Sequence, residues 1–119
     1  MEIDIRGENL FLTPPLLEQV ERRLLLALSR FGESIQRVVV RIAELDNSGC
    51  NNQKRCRIVV SLRPSGHMMV ECTGPDVRAA IDLGADRLGR SMARKIRLAR
   101  EIESAHGLSA VRSARTPRR

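Results

Sequence analysis

Residues 75–103, PDVRAAIDLGADRLGRSMARKIRLAREIE, decide how this chain is read. At about 100° per residue, Val77, Ile81, Gly84, Ala85, Leu88, Met92, Ile96 and Ala99 fall on one broad arc, the pattern of a long helix with one buried side. Arg87, Arg90, Arg94 and Arg97 share the opposite side, and no acid stands between Asp86 and Glu101. Like charges at helical neighbours repel by a few tenths of a kcal/mol per pair. A single-signed stripe therefore calls for an anionic partner, with a merely solvated helix face as the bland alternative.

The residues before this helix are strands. Thr73-Gly74-Pro75 opens the helix, and before it His67 to Cys72 alternates with Met68, Val70 and Cys72 inward. Pro64-Ser65-Gly66 is a turn. Lys54 to Arg63 alternates in the same way, with Cys56, Ile58, Val60 and Leu62 on one face and Arg55, Arg57, Val59, Ser61 and Arg63 on the other. Leu45 to Gln53 is a polar, Gly-containing connection. Its Asp46-Asn47-Ser48-Gly49 reads as a turn, since the later spaced carboxylates of a calcium loop are missing. Ile35 to Glu44 places Val38, Val40 and Ile42 opposite Arg37, Val39 and Arg41.

Towards the N-terminus, Thr13 before Pro14 and Pro15 signals a helix start. Leu17, Val20, Leu24, Ala27, Leu28 and Phe31 give that helix one buried face, and Gly32 is the expected left-handed stop. Leu26 points outward between Arg22 and Arg30, either as an apolar contact or as a scattered exposed leucine. Residues 2–6 form a short strand that ends at Gly7. The expected fold is α+β, ordered β-α-β-β-β-α: a four-stranded mixed sheet with two helices on one face, the first helix making a right-handed crossover. Residues 1–104 form the domain and residues 105–119, rich in arginine, a basic and disordered tail.

With 119 residues and 42% hydrophobic composition, one domain can bury a modest core without staples. The net charge of +7 and pI near 10.9 favour a polyanionic partner. No apolar run reaches the roughly 18 residues of a membrane span, and the N-terminus lacks a signal-peptide core, so the expected location is cytoplasmic. Cys50, Cys56 and Cys72 have no metal-ligand spacing and read as buried free thiols.

Arginine suits phosphate because its planar fork donates two hydrogen bonds at once. The candidate RNA-binding residues are Arg22, Arg23 and Arg30 on the first helix and Arg87, Arg90, Arg94 and Arg97 on the second. Arg37, Arg41, Arg55, Arg57 and Arg63 on the open sheet face form either a second RNA surface or solvated pairs with nearby acids. The only aromatics are Phe11 and Phe31, so the sheet offers no stacking platform and recognition is expected by shape and charge. His67 and His106 have no nucleophile or carboxylate at a telling spacing, so the chain is read as a non-enzyme without cofactor or metal.

The order and residues together resemble the ribosome hibernation-promoting factor family, the small ribosome-associated translation inhibitors. The resemblance covers about residues 1 to 100 and rests on Ile3-Asp4-Ile5-Arg6-Gly7-Glu8-Asn9, on Thr13, and on Ala79-Ala80-Ile81-Asp82 followed by Asp86-Arg87-Leu88 and Arg90. Ser29-Arg30-Phe31-Gly32 and Lys54-Arg55-Cys56 are similar to a shorter bacterial subgroup. The resemblance implies a factor that enters the decoding channel of the small ribosomal subunit and inhibits translation under stress or in stationary phase. Its partners would be that subunit and its rRNA, with no membrane and no small-molecule substrate, and a weak homodimer as a further option. Arg23, Arg87, Arg90 and Arg94 occupy places that are basic in the family. Leu26 stands where relatives often carry lysine and Arg78 where many carry tyrosine, and the expected organisation is without the second domain that long family members use to pair ribosomes. Two rival readings are a double-stranded-RNA-binding module, matching α-β-β-β-α from Pro14 onward, and a protein-protein regulatory domain that does not bind RNA.

Overall fold

Period-two alternation becomes a sheet because each strand can then bury one face and solvate the other. The computed structural model describes residues 1–45 and 53–112, with side chains through residue 102. Its strands β1 (Glu2–Glu8), β2 (Ile35–Leu45), β3 (Gln53–Leu62) and β4 (His67–Gly74) lie side by side in sequence order. β1 runs parallel to β2, and β2, β3 and β4 form an antiparallel meander. The helices are α1 (Pro14–Leu28) and α2 (Val77–Arg112), so the order is the expected β-α-β-β-β-α. The described residues up to Gly89 form one compact unit and those from Arg90 on a second.

Register fixes what each face carries. Ile5, Val40, Ile58 and Val70 stand in one row across the sheet, and Gly7, Ile42, Cys56 and Cys72 in the next. α1 and residues 77–89 of α2 cover this side, where Val20, Leu24 and Leu28 meet Ala80, Ile81, Ala85 and Leu88 in the buried core. Fully burying such aliphatic side chains contributes about 1.5–3 kcal/mol each before chain entropy is subtracted. Gly84 allows the approach: a Cβ there would stand 3.1 Å from Ile58 Cδ1 and 3.7 Å from Cys56 Sγ. At Gly74 a Cβ would meet the Ala80 amide nitrogen at 2.9 Å, so only glycine lets β4 end against the start of α2.

Thr13 caps α1 as expected, its hydroxyl accepting from the Leu16 amide at 3.3 Å. The helix stops at Leu28 rather than near Phe31, because Ser29–Ser34 tighten into a 3-10 segment. Gly32 is not left-handed, and Phe31 is only half-buried. α2 begins at Val77, two residues later than Pro75, and Asp76 caps its start. Asp76 Oδ1 accepts from the Ala79 amide at 2.8 Å, and its carbonyl accepts from Ala80 at 3.1 Å. The expected apolar arc is buried as far as Met92, whereas Ile96 is half-buried and Ala99 exposed. α2 continues past residue 103 to Arg112; of the expected tail, residues 113–119 lie outside the described residues, as do the polar connection at 46–52 and Cys50.

Cys56 and Cys72 are cross-strand partners, both buried and unbonded. Burial, reinforced by the neighbouring Cys72, pushes the Cys56 thiol up to about 12. The folded protein therefore keeps a proton that the unfolded chain releases near pH 9, and this site loses stability to the unfolded state as pH rises from there towards 12. In a Cys50→Ser background at pH 8, a thiol reagent should modify Cys56 and Cys72 at least about 100-fold more slowly than in denaturant. Immediate modification of both thiols without unfolding would contradict their burial.

Candidate nucleic-acid interface

Helical periodicity sets the candidate arginines outside the core, but their immediate neighbours differ. In the first unit, Arg23 does not stand free. Its Nε donates to Asp82 Oδ1 at 3.0 Å and its Nη2 to Asp86 Oδ1 at 2.5 Å, so one guanidinium ties α1 to two successive turns of α2. Only 27% of this side chain is exposed. Arg23, a candidate RNA-binding residue by sequence, thus has carboxylate partners on α2.

The other three stand more openly. Arg22 is exposed, with Glu18 at the 4.0 Å limit of an ion pair. The Arg30 guanidinium lies 4.6 Å from the centroid of the Phe31 ring, a cation–π contact that leaves its charge unneutralised. Arg87 Nη1 donates to the Glu71 main-chain oxygen at 3.2 Å, which orients the guanidinium without cancelling its charge. Within the second unit, Arg90, Arg94 and Arg97 are exposed on α2 and make no ion pair among the described residues.

The open sheet face has the opposite character. Strand register puts Arg6, Arg41, Arg57 and Glu71 in one row and Glu8, Ala43, Arg55 and Thr73 in the next. Arg6 meets Asp4 at 2.7 Å, Arg37 meets Asp4 at 3.6 Å, and Arg41 meets Glu8 at 3.3 Å. Glu71 receives Arg57 at 3.1 Å and Arg55 at 3.4 Å. The Arg6 hydrogen bond, helped by Arg37 and Arg41, holds the Asp4 carboxyl below its ordinary value. Of the two readings open for these arginines, the paired one describes Arg37, Arg41, Arg55 and Arg57; Arg63 lies just beyond β3, its amide donating to the Ser34 carbonyl at 2.9 Å.

A groove of about 330 Å³ lies between α1 and the first turns of α2. Leu16, Val20, Leu26 and Ile81 supply its apolar lining. Arg22 and Arg78 stand at it from the two helices, and the Arg23–Asp82 pair also lines it. Sequence reasoning left Arg78 out of the site. The available signal was its position one turn before Asp82, on the side of α2 that α1 faces.

The sequence matches the family described as sigma 54 modulation protein / S30EA ribosomal protein over residues 3–97. The structure is similar to the N-terminal domain of Protein Y from Thermus thermophilus, with a TM-score of 0.65 and 29% identity, covering 79% of this chain and 98% of that one. It is also similar to a ribosomal subunit interface protein from Coxiella burnetii, with a TM-score of 0.68, covering 80% of this chain and 97% of that one; at 20% identity this shows the fold alone. Among curated protein sequences no match was found.

The Arg23 tie yields a coupling test. Arg23→Gln and the double variant Asp82→Asn/Asp86→Asn should each lower unfolding stability in urea by about 0.5–1.5 kcal/mol, a partly exposed pair being discounted for solvent screening. Combining all three substitutions should cost little more than either alone. Fully additive losses would show that these side chains are not coupled.

Proposed function

Because the chain belongs to the sigma 54 modulation protein / S30EA ribosomal protein family, we propose that it is a ribosome-binding factor that occupies the decoding channel of the small subunit. There it inhibits translation in the cytoplasm of stressed or stationary-phase cells. The observation that carries this reading is the partition of the arginines: those of the open sheet face have carboxylate partners, whereas Arg87, Arg90, Arg94 and Arg97 have none among the described residues.

A guanidinium already paired in its own chain must give up that partner to meet a phosphate. An unpaired one loses only water and gains a fork of charge-assisted hydrogen bonds. Phosphate contacts then hold the domain in the channel, and the bulk of the folded unit excludes mRNA and tRNA from the same space. Arg22 adds a cation on α1 and Arg30 one on the 3-10 segment that follows, while Arg23 serves mainly to hold α1 against α2. Phe11 is 79% exposed but lies outside the sheet, and no aromatic stands on the open sheet face, which fits recognition by shape and charge. For about six neutralised phosphates, log affinity should fall against log salt with a slope of roughly −4 to −5.

In a sucrose gradient of stationary-phase lysate the wild-type chain should travel with ribosomal particles. The variant Arg87→Glu/Arg90→Glu/Arg94→Glu should remain at the top of the gradient, with an unchanged circular-dichroism spectrum and a melting temperature close to wild type. Normal co-sedimentation of that variant would refute phosphate contact through α2.

A further inference from the structure

The groove between α1 and the first turns of α2 has a composition that phosphate binding alone does not need. Leu16, Val20, Leu26 and Ile81 give it an aliphatic floor framed by charged side chains, Asp82 among them, and Leu26, 73% exposed, holds a large apolar side chain in water there. Two guanidiniums border it from opposite helices. Arg78 makes no ion pair among the described residues, although Asp82 sits one turn further on, where its Oδ1 accepts from Arg23 Nε at 3.0 Å. Arg22 has only Glu18 at 4.0 Å. The result is a small slot with an apolar floor, a rim that carries the unpaired Arg78 and the loosely paired Arg22, and the Arg23–Asp82 pair between them.

Resting on the ribosome-binding reading above, we infer that this groove receives one unstacked nucleotide of an RNA strand. The base lies over Leu16, Val20, Leu26 and Ile81, and the flanking phosphates meet Arg22 and Arg78. Size and charge both select this occupant. A space of about 330 Å³ lies at the lower end of the range for small-molecule pockets and suits a group the size of a nucleotide. A protein partner of ordinary affinity needs roughly 800 Å² on each side, for which one exposed leucine and its floor are a poor match. RNA is commonly read through bases splayed out of the stack and held against aromatic side chains or arginine planes; here the apolar floor is aliphatic and removes the base from water by burial. The Arg23 tie to Asp82 and Asp86 supports the slot by fixing both of its walls, so Arg23 is a positioning residue here.

The test uses the full-length chain and purified small subunits. Affinity is measured across a salt series for the wild type, Leu26→Ala and Arg78→Ala, and rRNA bases are probed chemically in each saturated complex with reagents that together cover all four bases. Leu26→Ala removes no charge, so it should weaken binding by about tenfold without changing the salt slope. Arg78→Ala should reduce the slope by about one. One rRNA base should change reactivity in the wild-type complex and not in the Leu26→Ala complex. Wild-type affinity and base pattern in Leu26→Ala would overturn the slot. Weaker binding with no base affected would mean that a ribosomal protein occupies the groove, which also overturns it. If the wild type itself fails to bind small subunits, the ribosome-binding reading falls first, and that failure is seen before any variant is compared.

Discussion

Every guanidinium on the open face of the sheet stands within reach of a carboxylate from the same face, and this internal neutralisation divides the surface of the protein into two kinds of positive charge. Each exposed pair is worth little to stability, typically between zero and 1 kcal/mol. Its larger effect is on what the face can bind. Glu71 bridges Arg55 and Arg57, and Glu8 reaches Arg41, so a phosphate arriving there would compete with an anion already held in place. The net charge of +7 overstates the sheet's appeal to RNA and understates that of the unpaired helical arginines.

The packing underneath makes this division durable. Ile58 and Cys56 lie beneath Gly84, so α2 approaches the sheet more closely than a side chain at that position would permit. Asp76 closes the start of α2, and Arg23 holds the next two turns to α1. Here a cation that sequence places among the phosphate ligands is used to fasten two helices together. Its neighbours Arg22 and Arg78 remain open beside Leu26.

Most of the fold was legible because it is written in local periods. Val38, Val40 and Ile42, or Cys56, Ile58 and Val60, need only a period of two to be assigned to one face, and the register bears that assignment out. The helix starts were less secure: Thr13 announces itself through the prolines that follow, but Asp76 looked like one more acid at the head of α2. The end of α1 was missed because a tightening into 3-10 geometry at Ser29 has no strong residue signature. Within the candidate site, the partners of Arg23 are 59 and 63 residues away, a separation at which helical spacing says nothing. Arg78 had a signal in its place one turn before Asp82, but its importance rests on which face of α2 meets α1.

In the proposed binding mode the sheet arginines stay with their own carboxylates and do not touch the ribosome, an outcome that net charge alone would not give. The variant Glu8→Gln/Arg41→Gln removes one charge of each sign from the open face, keeps Arg55 and Arg57 paired with Glu71, and leaves the net charge unchanged. Its affinity for small ribosomal subunits at fixed salt should stay within about threefold of wild type, a difference under 1 kcal/mol. A loss of tenfold or more, in a variant that still folds, would show that the paired face touches the ribosome and would contradict the account.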